Sequence, residues 1–226
     1  MASGASPPVI PGTLVPRPPA KLSTLVSTMT WPAGQVVHRI HPDVYAADQF
    51  NPGPHGNARF SPIKDVANAQ IPTIYGGTTF DCAAMETVFH DVPFTTGLKT
   101  VDKFKLVDKL HSQVVPSRAL TLIDLRSTAL RRLGVRRNEL IDTEKDQYPG
   151  TRAWAEAIHA ACPTVDGLCW TSRQDDSALA IMLFGQRVRS TDLQAGASVN
   201  IVSDGPTYSN LLNLAERIGV RIVSPF

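Results

Sequence analysis

The sequence predicts an α+β fold from three observations. Short apolar runs and amphipathic segments are mixed, without the regular strand–helix–strand spacing of a doubly wound parallel sheet. Hydrophobic residues make up 42% and charged residues 19% of the 226 residues, a balance typical of a globular chain with one sizeable core. The sequence has no internal repeat, and it lacks the GxGxxG and GxxxxGK[ST] signatures of nucleotide-binding α/β folds.

The individual elements follow from periodicity and from local start and stop signals. Thr78 is expected to cap the first main helix with Asp81 completing a capping box, and Gly134 is expected to end the second. Residues 48–70 are dense in Pro, Gly and Asn and are predicted to form a long loop. Strands are predicted at 36–41, 73–75, 119–124, 167–171, 179–184 and 220–223. Helices are predicted at 82–90, 127–133, 151–161 and 208–218.

The chain is predicted to consist of a leader and one domain. Six prolines fall within the first 20 residues, and residues 1–34 are therefore expected to form an extended leader. A single catalytic domain is predicted over 35–226, with a C-terminal extension from about residue 190. The turn at 203–206 precedes a helix and a strand, and we expect this extension to cover a sheet edge.

Charge and composition exclude several classes of partner. The net charge is +2 with no basic stripe, which predicts no direct contact with nucleic acid. No apolar run approaches the roughly 18 to 20 residues that span a bilayer, so no membrane segment is expected. Cys82, Cys162 and Cys169 cannot all pair and form no CxxC motif. Together with the lack of a signal-like start, these thiols predict a cytoplasmic protein with reduced cysteines.

The familiar catalytic motifs are also missing. The six histidines show no HExxH or other paired spacing, so no metal site is predicted. No GxSxG sequence is present, which disfavours a serine hydrolase with a nucleophile elbow.

Glu86 is the first residue that invites a functional interpretation. On a helix it shares one face with Cys82, Met85 and Phe89, at i, i+3, i+4 and i+7 spacing. A carboxylate among apolar neighbours loses hydration, which is costly unless it is paired or needed for chemistry. It could stabilise the cation that develops when a glycosidic bond breaks. The alternative is a carboxylate at the rim of the helix, paired with an arginine.

Four further side chains could assist such chemistry. Arg39 lies in an apolar strand and Arg59 in a loop of small residues, and a guanidinium can grip a phosphate with two parallel hydrogen bonds. Either arginine could instead hold its loop through a carboxylate. Tyr75 could stack on nicotinamide or adenine, or could simply pack. Ser172, at a strand end, could orient a ribose hydroxyl.

The order of these residues resembles that of the RES family, which is named for its Arg, Glu and Ser. The resemblance rests on the segments 38–40 and 59–61, on Tyr75 followed eleven residues later by Glu86, and on the segment 170–172. It covers residues 36–189 of the 226. The loop with Arg59 and the Tyr75-to-Glu86 block are its most specific parts.

The resemblance implies a fold, a substrate and partners. RES proteins are similar in fold to ADP-ribosyltransferases, with small mixed or antiparallel sheets and flanking helices around an NAD⁺ cleft. The family consists typically of toxins of type II toxin–antitoxin pairs, whose helix-turn-helix (Xre-type) antitoxin blocks the cleft. Members degrade NAD⁺ as glycohydrolases or phosphorylases, with inorganic phosphate as co-substrate in the second case, and some modify a protein instead.

The resemblance also implies roles for single residues. Arg39 and Arg59 would grip the phosphates or ribose of NAD⁺, and Tyr75 would contact its nicotinamide end. Glu86 would support the ribosyl cation, and Ser172 would fix the ribose or nicotinamide. The catalytic set is thus Glu86, Arg39 and Ser172.

Two positions depart from the family pattern or leave it ambiguous. Phe60 stands where many members have Trp, a change that keeps an aromatic ring. Thr151 could match the family hydroxyl instead of Ser172 and is retained as a candidate NAD⁺-binding residue. The group that attacks the ribose, homodimer formation, and a non-catalytic module that retains the NAD⁺ pocket all stay open at this point.

Overall fold

A computed structural model of the chain describes residues 8–224. The strands are β1 (Ser27–Trp31), β2 (Val37–Pro42), β3 (Ile63–Lys64), β4 (Gln70–Ile71), β5 (Thr73–Gly77), β6 (Lys99–Asp102), β7 (Lys109–Pro116), β8 (Leu120–Asp124), β9 (Gly167–Thr171), β10 (Leu179–Phe184), β11 (Leu193–Ala195), β12 (Val199–Asn200) and β13 (Val220–Val223). The helices are α1 (Leu22–Leu25), α2 (Phe80–Thr87), α3 (Ser127–Leu133), α4 (Arg137–Leu140), α5 (Tyr148–Ala161) and α6 (Gly205–Arg217).

One large curled sheet organises these elements. Its nine strands run in the order β1-β8-β9-β10-β5-β2-β7-β11, with β12 also paired to β7. Neighbours are antiparallel except β8 and β9, which are parallel, so the sheet is mixed. The strands β3 and β4 form a separate pair, and β6 pairs with β13. The predicted α+β class is confirmed, although the main sheet is larger than the small sheets that the resemblance implied.

The sheet has a weak seam between β2 and β5. These two strands share only one paired position, His38 with Gly77, whereas β2 and β7 share six. The backbones approach closely at this point, since a Cβ on Gly76 would lie 2.3 Å from Val37 Cγ1 and 2.8 Å from the His38 carbonyl oxygen. Gly76 and Gly77 are the last two residues of β5, which extends past the predicted strand 73–75. Glycine is required here by proximity between strands.

The helices agree with the sequence more closely in position than at their ends. The helix α2 is capped by Thr79, whose side chain accepts a hydrogen bond from the Cys82 amide at 3.0 Å, so the expected cap Thr78 is wrong by one residue. Thr78 accepts instead from the amide of Leu179 on β10. The helix α3 ends as predicted at Gly134, which adopts a left-handed conformation with φ 70°. Both α5 and α6 begin three residues earlier than expected, and each has a proline in its first turn.

The described part of the predicted leader packs against the rest of the chain. Val15 is buried, and the Pro16 carbonyl accepts a hydrogen bond from the Trp154 indole. The strand β1 then pairs with β8 along five residues. Proline density describes only the first part of this segment, and the alternating residues of β1 bury Trp31 against the sheet. Residues 1–7 of the predicted leader lie outside the described residues.

The C-terminal segment extends the sheet and covers α2. The strands β11 and β12 both pair with β7 and so cover that edge of the sheet. The predicted helix and final strand are present, but they pack elsewhere: β13 pairs with β6, and Leu211 and Leu214 of α6 join an apolar cluster with Ala83 and Met85 of α2. The helix α2 is therefore held between the sheet and α6.

No helix within residues 8–224 has both the length and the apolar character needed to cross a bilayer.

Candidate active site

A cavity of about 330 Å³ lies against the seam between β2 and β5, beneath α2. Ile40 of β2 and Tyr75 and Gly76 of β5 contribute one part of its wall. The remaining wall includes Glu86 of α2 and Arg59 of the loop that precedes β3. Two strands, a helix and a loop thus bring together residues that are distant in sequence. Three of the predicted residues, Arg59, Tyr75 and Glu86, line this one cavity.

The helix α2 directs Glu86 into the cavity as the periodicity predicted. Its neighbours on the same face, Cys82 and Met85, are buried, and Phe89 beyond the helix end is buried as well. Glu86 itself is half-buried and lines the cavity. The alternative interpretation paired Glu86 with an arginine. Among the described residues its carboxylate forms no salt bridge within 4.0 Å, and its hydrogen-bond partner is a serine.

Ser172 fixes the carboxylate of Glu86. Its hydroxyl donates to Glu86 Oε1 at 2.7 Å and accepts from the amides of Gln174 at 3.1 Å and Asp175 at 3.0 Å. A serine hydroxyl has one proton and two lone pairs, so the two amides occupy both lone pairs and leave the proton for Glu86. Ser172 has no exposed surface and does not line the cavity. Its position is that of a residue acting through Glu86, rather than one contacting a ligand directly.

Arg59 brings a buried positive charge to the cavity. Only 5% of the residue is exposed, and it forms no ion pair with any carboxylate in residues 8–224. Its Nη1 donates to the Thr143 hydroxyl at 2.8 Å and to the Thr143 carbonyl at 3.2 Å. Burial lowers the pKa of the guanidinium, because desolvation disfavours its charged form. A buried cation without a carboxylate partner favours an anionic ligand.

Thr151 supports Arg59 and stays out of the cavity. It lies in the first turn of α5 and is fully buried. Its hydroxyl donates to the backbone carbonyl of Arg59 and to that of Tyr148. Between the two hydroxyl candidates, the structure therefore brings Ser172 to Glu86 and Thr151 to the Arg59 backbone.

Tyr75 forms an aromatic wall of the cavity with Trp170. The two rings meet edge to face, with centroids 6.2 Å apart. The Tyr75 hydroxyl accepts a hydrogen bond from the Phe60 amide at 3.2 Å, which ties β5 to the loop that carries Arg59. Burial raises the pKa of this phenol well above its ordinary value, so the hydroxyl stays protonated. The structure thus places two aromatic side chains in the wall of the cavity that Glu86 also lines.

Arg39 lies apart from the cavity. Successive strand residues face opposite sides of a sheet, and Ile40 is the residue of β2 that lines the cavity. The guanidinium of Arg39 is buried, and its Nη1 donates to the carbonyls of Ala46 at 3.2 Å and Ala47 at 2.6 Å. Burial lowers the pKa of Arg39 to about 10. In this arrangement Arg39 holds the loop after β2 through two backbone carbonyls, whereas the structural alternative considered for it invoked a carboxylate.

Several residues of the site were not anticipated. Tyr148 lies beneath the Arg59 guanidinium, 5.5 Å from ring centroid to Cζ, and its hydroxyl bonds to His90 Nε2 at 2.9 Å. Lys145 and Asp91 form an ion pair at 2.7 Å at the edge of the cavity. Asp91 and Lys145 lie outside the α-helices and strands, and Tyr148 is the first residue of α5. The one local signal that could have located Tyr148 is Pro149, because proline is typical of the first turn of a helix.

The described residues offer no evident metal site. Within 8–224, no three His, Cys, Asp or Glu side chains converge as metal coordination would require. The polar side chains of the cavity wall include the Glu86 carboxylate, the buried Arg59 guanidinium, the Tyr75 phenol and the Lys145–Asp91 ion pair.

The fold and the site define an α+β protein whose cavity combines a serine-held carboxylate with a buried arginine. The model of the RES domain matches residues 36–201, and the chain belongs to the RES family. At the level of the family, this membership supports an NAD-related, toxin-like enzymatic domain. No curated protein and no solved structure matches the chain.

Proposed function

We propose that this protein cleaves the nicotinamide–ribose bond of NAD⁺. One observation carries the proposal beyond membership of the family: the Glu86 carboxylate, oriented by Ser172, lines a cavity that also contains the buried Arg59. A fixed carboxylate can stabilise a developing ribosyl cation, and a buried guanidinium can bind the diphosphate of the same molecule.

The proposed reaction begins with departure of nicotinamide. The bond between the anomeric carbon and the pyridinium nitrogen breaks, its electron pair stays on nitrogen, and neutral nicotinamide leaves. The positive charge passes to the ribose as an oxocarbenium ion, which the Glu86 carboxylate stabilises. Water then yields ADP-ribose and a proton, whereas inorganic phosphate yields ADP-ribose 1″-phosphate. Protein ADP-ribosylation is the alternative in which a side chain attacks the same cation.

The other residues of the cavity have supporting roles in this proposal. Arg59 binds the diphosphate, and Tyr75 with Trp170 provides the surface for the nicotinamide ring. Ser172 acts as a positioning residue for Glu86, and Thr151 positions the backbone of Arg59. Arg39, which the sequence placed in the catalytic set, has no direct part in this scheme because its guanidinium is bonded to loop carbonyls outside the cavity.

The chemistry is tested by incubating the protein with NAD⁺, with and without inorganic phosphate, and resolving the products by mass spectrometry. The wild type is expected to release nicotinamide, and the second product identifies water or phosphate as the acceptor. Glu86→Gln is expected to lower the rate about 100- to 1,000-fold, as removal of a transition-state contact does elsewhere. Glu216→Gln, at an exposed position of α6, is the matched control and should retain the wild-type rate.

Two results would overturn the proposal. Intact NAD⁺ with the wild-type protein under both conditions would refute NAD⁺ degradation and leave a protein acceptor or a non-catalytic module. A folded Glu86→Gln variant that cleaves NAD⁺ as fast as wild type would refute the role of Glu86.

For the cellular role, we propose a cytoplasmic toxin held by a helix-turn-helix antitoxin that covers the cleft. The support is the family-level assignment, together with a catalytic cavity that is open to solvent. Expression in a bacterial host is expected to deplete NAD⁺ and arrest growth, and co-expression of the neighbouring gene should relieve both effects. Growth and NAD⁺ levels that match those of a Glu86→Gln strain would contradict this role.

A further inference from the structure

A second cavity of about 790 Å³ adjoins the first. The two share His90, Asp91 and Lys145 in their walls, so they adjoin at the Lys145–Asp91 ion pair. Phe94 and Arg173 line the second cavity only. Neither residue was singled out by the sequence or used in the proposed reaction.

The guanidinium of Arg173 converges with that of Arg59 on one carbonyl oxygen. Arg173 Nη1 donates to the Thr143 carbonyl at 2.7 Å, and Arg59 Nη1 donates to the same oxygen at 3.2 Å. Two cations held on a single neutral acceptor repel each other. Burial is the largest cause of the lowered pKa of Arg59, and the nearby positive charge of Arg173 lowers it further. An anion placed between them would remove this repulsion. Arg59 faces the first cavity and Arg173 the second, so the pair lies at their junction.

Both arginines retain donors for such an anion. Arg59 Nε and Nη2 have no protein acceptor within residues 8–224, and neither is fully sealed from solvent. Arg173 is paired through Nη2 with Glu144, whose side chain is 73% exposed and is easily displaced. An ion pair with an exposed carboxylate contributes little, whereas a diphosphate offers more charge and more acceptors.

The wall beside Arg173 suits a flat aromatic group. The Phe94 residue is 79% exposed, and its ring centroid lies 5.9 Å from Arg173 Cζ. A large apolar ring left in water at a cavity wall, beside a guanidinium, is a surface on which a purine base can stack.

We propose that the second cavity is the subsite for the adenylate half of a dinucleotide, with Arg173 and Arg59 binding the diphosphate and Phe94 stacking on the base. The identity of the ligand rests on the proposed function, and the subsite extends the proposed NAD⁺ site past the Lys145–Asp91 ion pair. The Lys145–Asp91 pair then lies beside the bound diphosphate, and Glu144 is the carboxylate that the ligand displaces from Arg173.

The test compares NAD⁺ with nicotinamide mononucleotide, which contains the same scissile bond but no adenylate. Arg173→Ala is expected to reduce kcat/KM for NAD⁺ and to weaken ADP binding in calorimetry, each about tenfold or more, the usual cost of a charge-assisted contact. Cleavage of the mononucleotide, which keeps only one of the two phosphates and no adenosine, should fall much less. Phe94→Ala should give the same selective pattern, and because its ring is exposed it also serves if Arg173→Ala fails to fold. Glu144→Gln should tighten ADP binding, since it removes the competing carboxylate.

Arg189→Ala, at a side chain that is 79% exposed, is the control for loss of a surface charge. Equal loss on both substrates, or no loss on either, in Arg173→Ala and Phe94→Ala would overturn the subsite while leaving NAD⁺ cleavage intact. ADP binding that depends on Arg173 in a protein that cleaves no NAD⁺ would refute the proposed function and keep the subsite.

Discussion

Among single side chains, the site depends most on the hydroxyl of Ser172. Its proton and both lone pairs are engaged, by Glu86 on one side and by the amides of Gln174 and Asp175 on the other. The same group therefore closes the turn after β9 and orients the carboxylate on α2. Removal of this one oxygen atom disturbs both.

Ser172→Ala is expected to lower the stability by about 1 to 3 kcal/mol, because two amides lose their acceptor. The kcat for NAD⁺ cleavage should fall about tenfold while KM changes little, since the variant loses orientation of the carboxylate and keeps the ligand contacts. Thermal melting and steady-state kinetics measure the two effects. Ser177→Ala, at an exposed serine in the same loop, is the control. A fall in melting temperature with unchanged kcat would reduce Ser172 to a structural role.

The sequence identified the cavity-lining residues better than their supports. Glu86 and Arg59 stand out because a charge in an apolar or small-residue context costs free energy unless it is paired or used. Tyr75 stands out through its spacing to Glu86 in the family resemblance. Arg39 was wrongly expected in the cavity because both faces of β2 are largely buried. In such a strand the pattern of apolar residues does not show which face a given side chain points to. Thr143 and Arg173 lie in irregular segments and Tyr148 begins α5, and each is 84 or more residues from Arg59 in the sequence. No local pattern predicts that Thr143 and Tyr148 contact Arg59 or that Arg173 shares the Thr143 carbonyl with it.

At the scale of elements, the approach of β2 to β5 is set by Gly76. Gly76→Ala is expected to lower the stability by about 1 to 3 kcal/mol, because the new methyl group overlaps Val37 and the His38 carbonyl. Gly205→Ala is the matched control, since nothing lies within 4 Å of its Cβ position at the start of α6. Chemical denaturation of the two variants measures the difference. Equal stability of Gly76→Ala and Gly205→Ala would show that the seam can widen without cost.

The pairing of β2 with β7 is expected to weaken in acid. His38 Nδ1 and His111 Nε2 lie 3.0 Å apart in stacked rings, and burial lowers the pKa of both, that of His111 from 6.5 to about 4. The folded pKa lies below the unfolded one, so the unfolded state binds more protons and stability falls as the pH drops from 6.5 towards 4. The melting temperature measured across this window should decrease, and less steeply in His111→Gln. His55→Gln, at an exposed loop position, should keep the wild-type slope.

The elements themselves were predictable where a local signal exists. The strands β9, β10 and β13 have the predicted bounds, and α3 ends at the expected glycine. Both kinds of signal, an apolar run and a glycine that ends a helix, are local properties of the sequence. The strand β1 was missed because its sequence, Ser27–Trp31, is mostly polar on its exposed face and follows a proline-rich stretch. Its pairing with β8 joins segments about 90 residues apart, and the stability of such a pair depends on both segments together, so neither sequence alone predicts it.

At the scale of the whole molecule, the three cysteines report on global unfolding. Cys82 and Cys169 are fully buried and Cys162 nearly so, and burial raises the pKa of Cys82 and Cys169 to about 12. They lie on α2, at the end of α5 and on β9, so no small local opening exposes all three. At pH 8 in native buffer we expect no alkylation by iodoacetamide, followed by joint labelling of all three across the denaturation midpoint.

Mass spectrometry of intact protein resolves the labelled species. Ser177→Cys provides an exposed thiol that should react at once. Early reaction of one native cysteine alone would reveal a subdomain that opens independently.

The position of β1 at the sheet edge has a practical consequence for anyone who shortens this chain. Trimming to the segment 36–201 that matches the family would remove β1 and uncover β8, whose residues Leu120, Leu122 and Ile123 are fully buried. An unprotected apolar edge strand is a template for pairing with another molecule. The trimmed protein is therefore expected to aggregate or dimerise through β8, which sedimentation would reveal, whereas the longer chain presents the partly polar strand β1 at that edge.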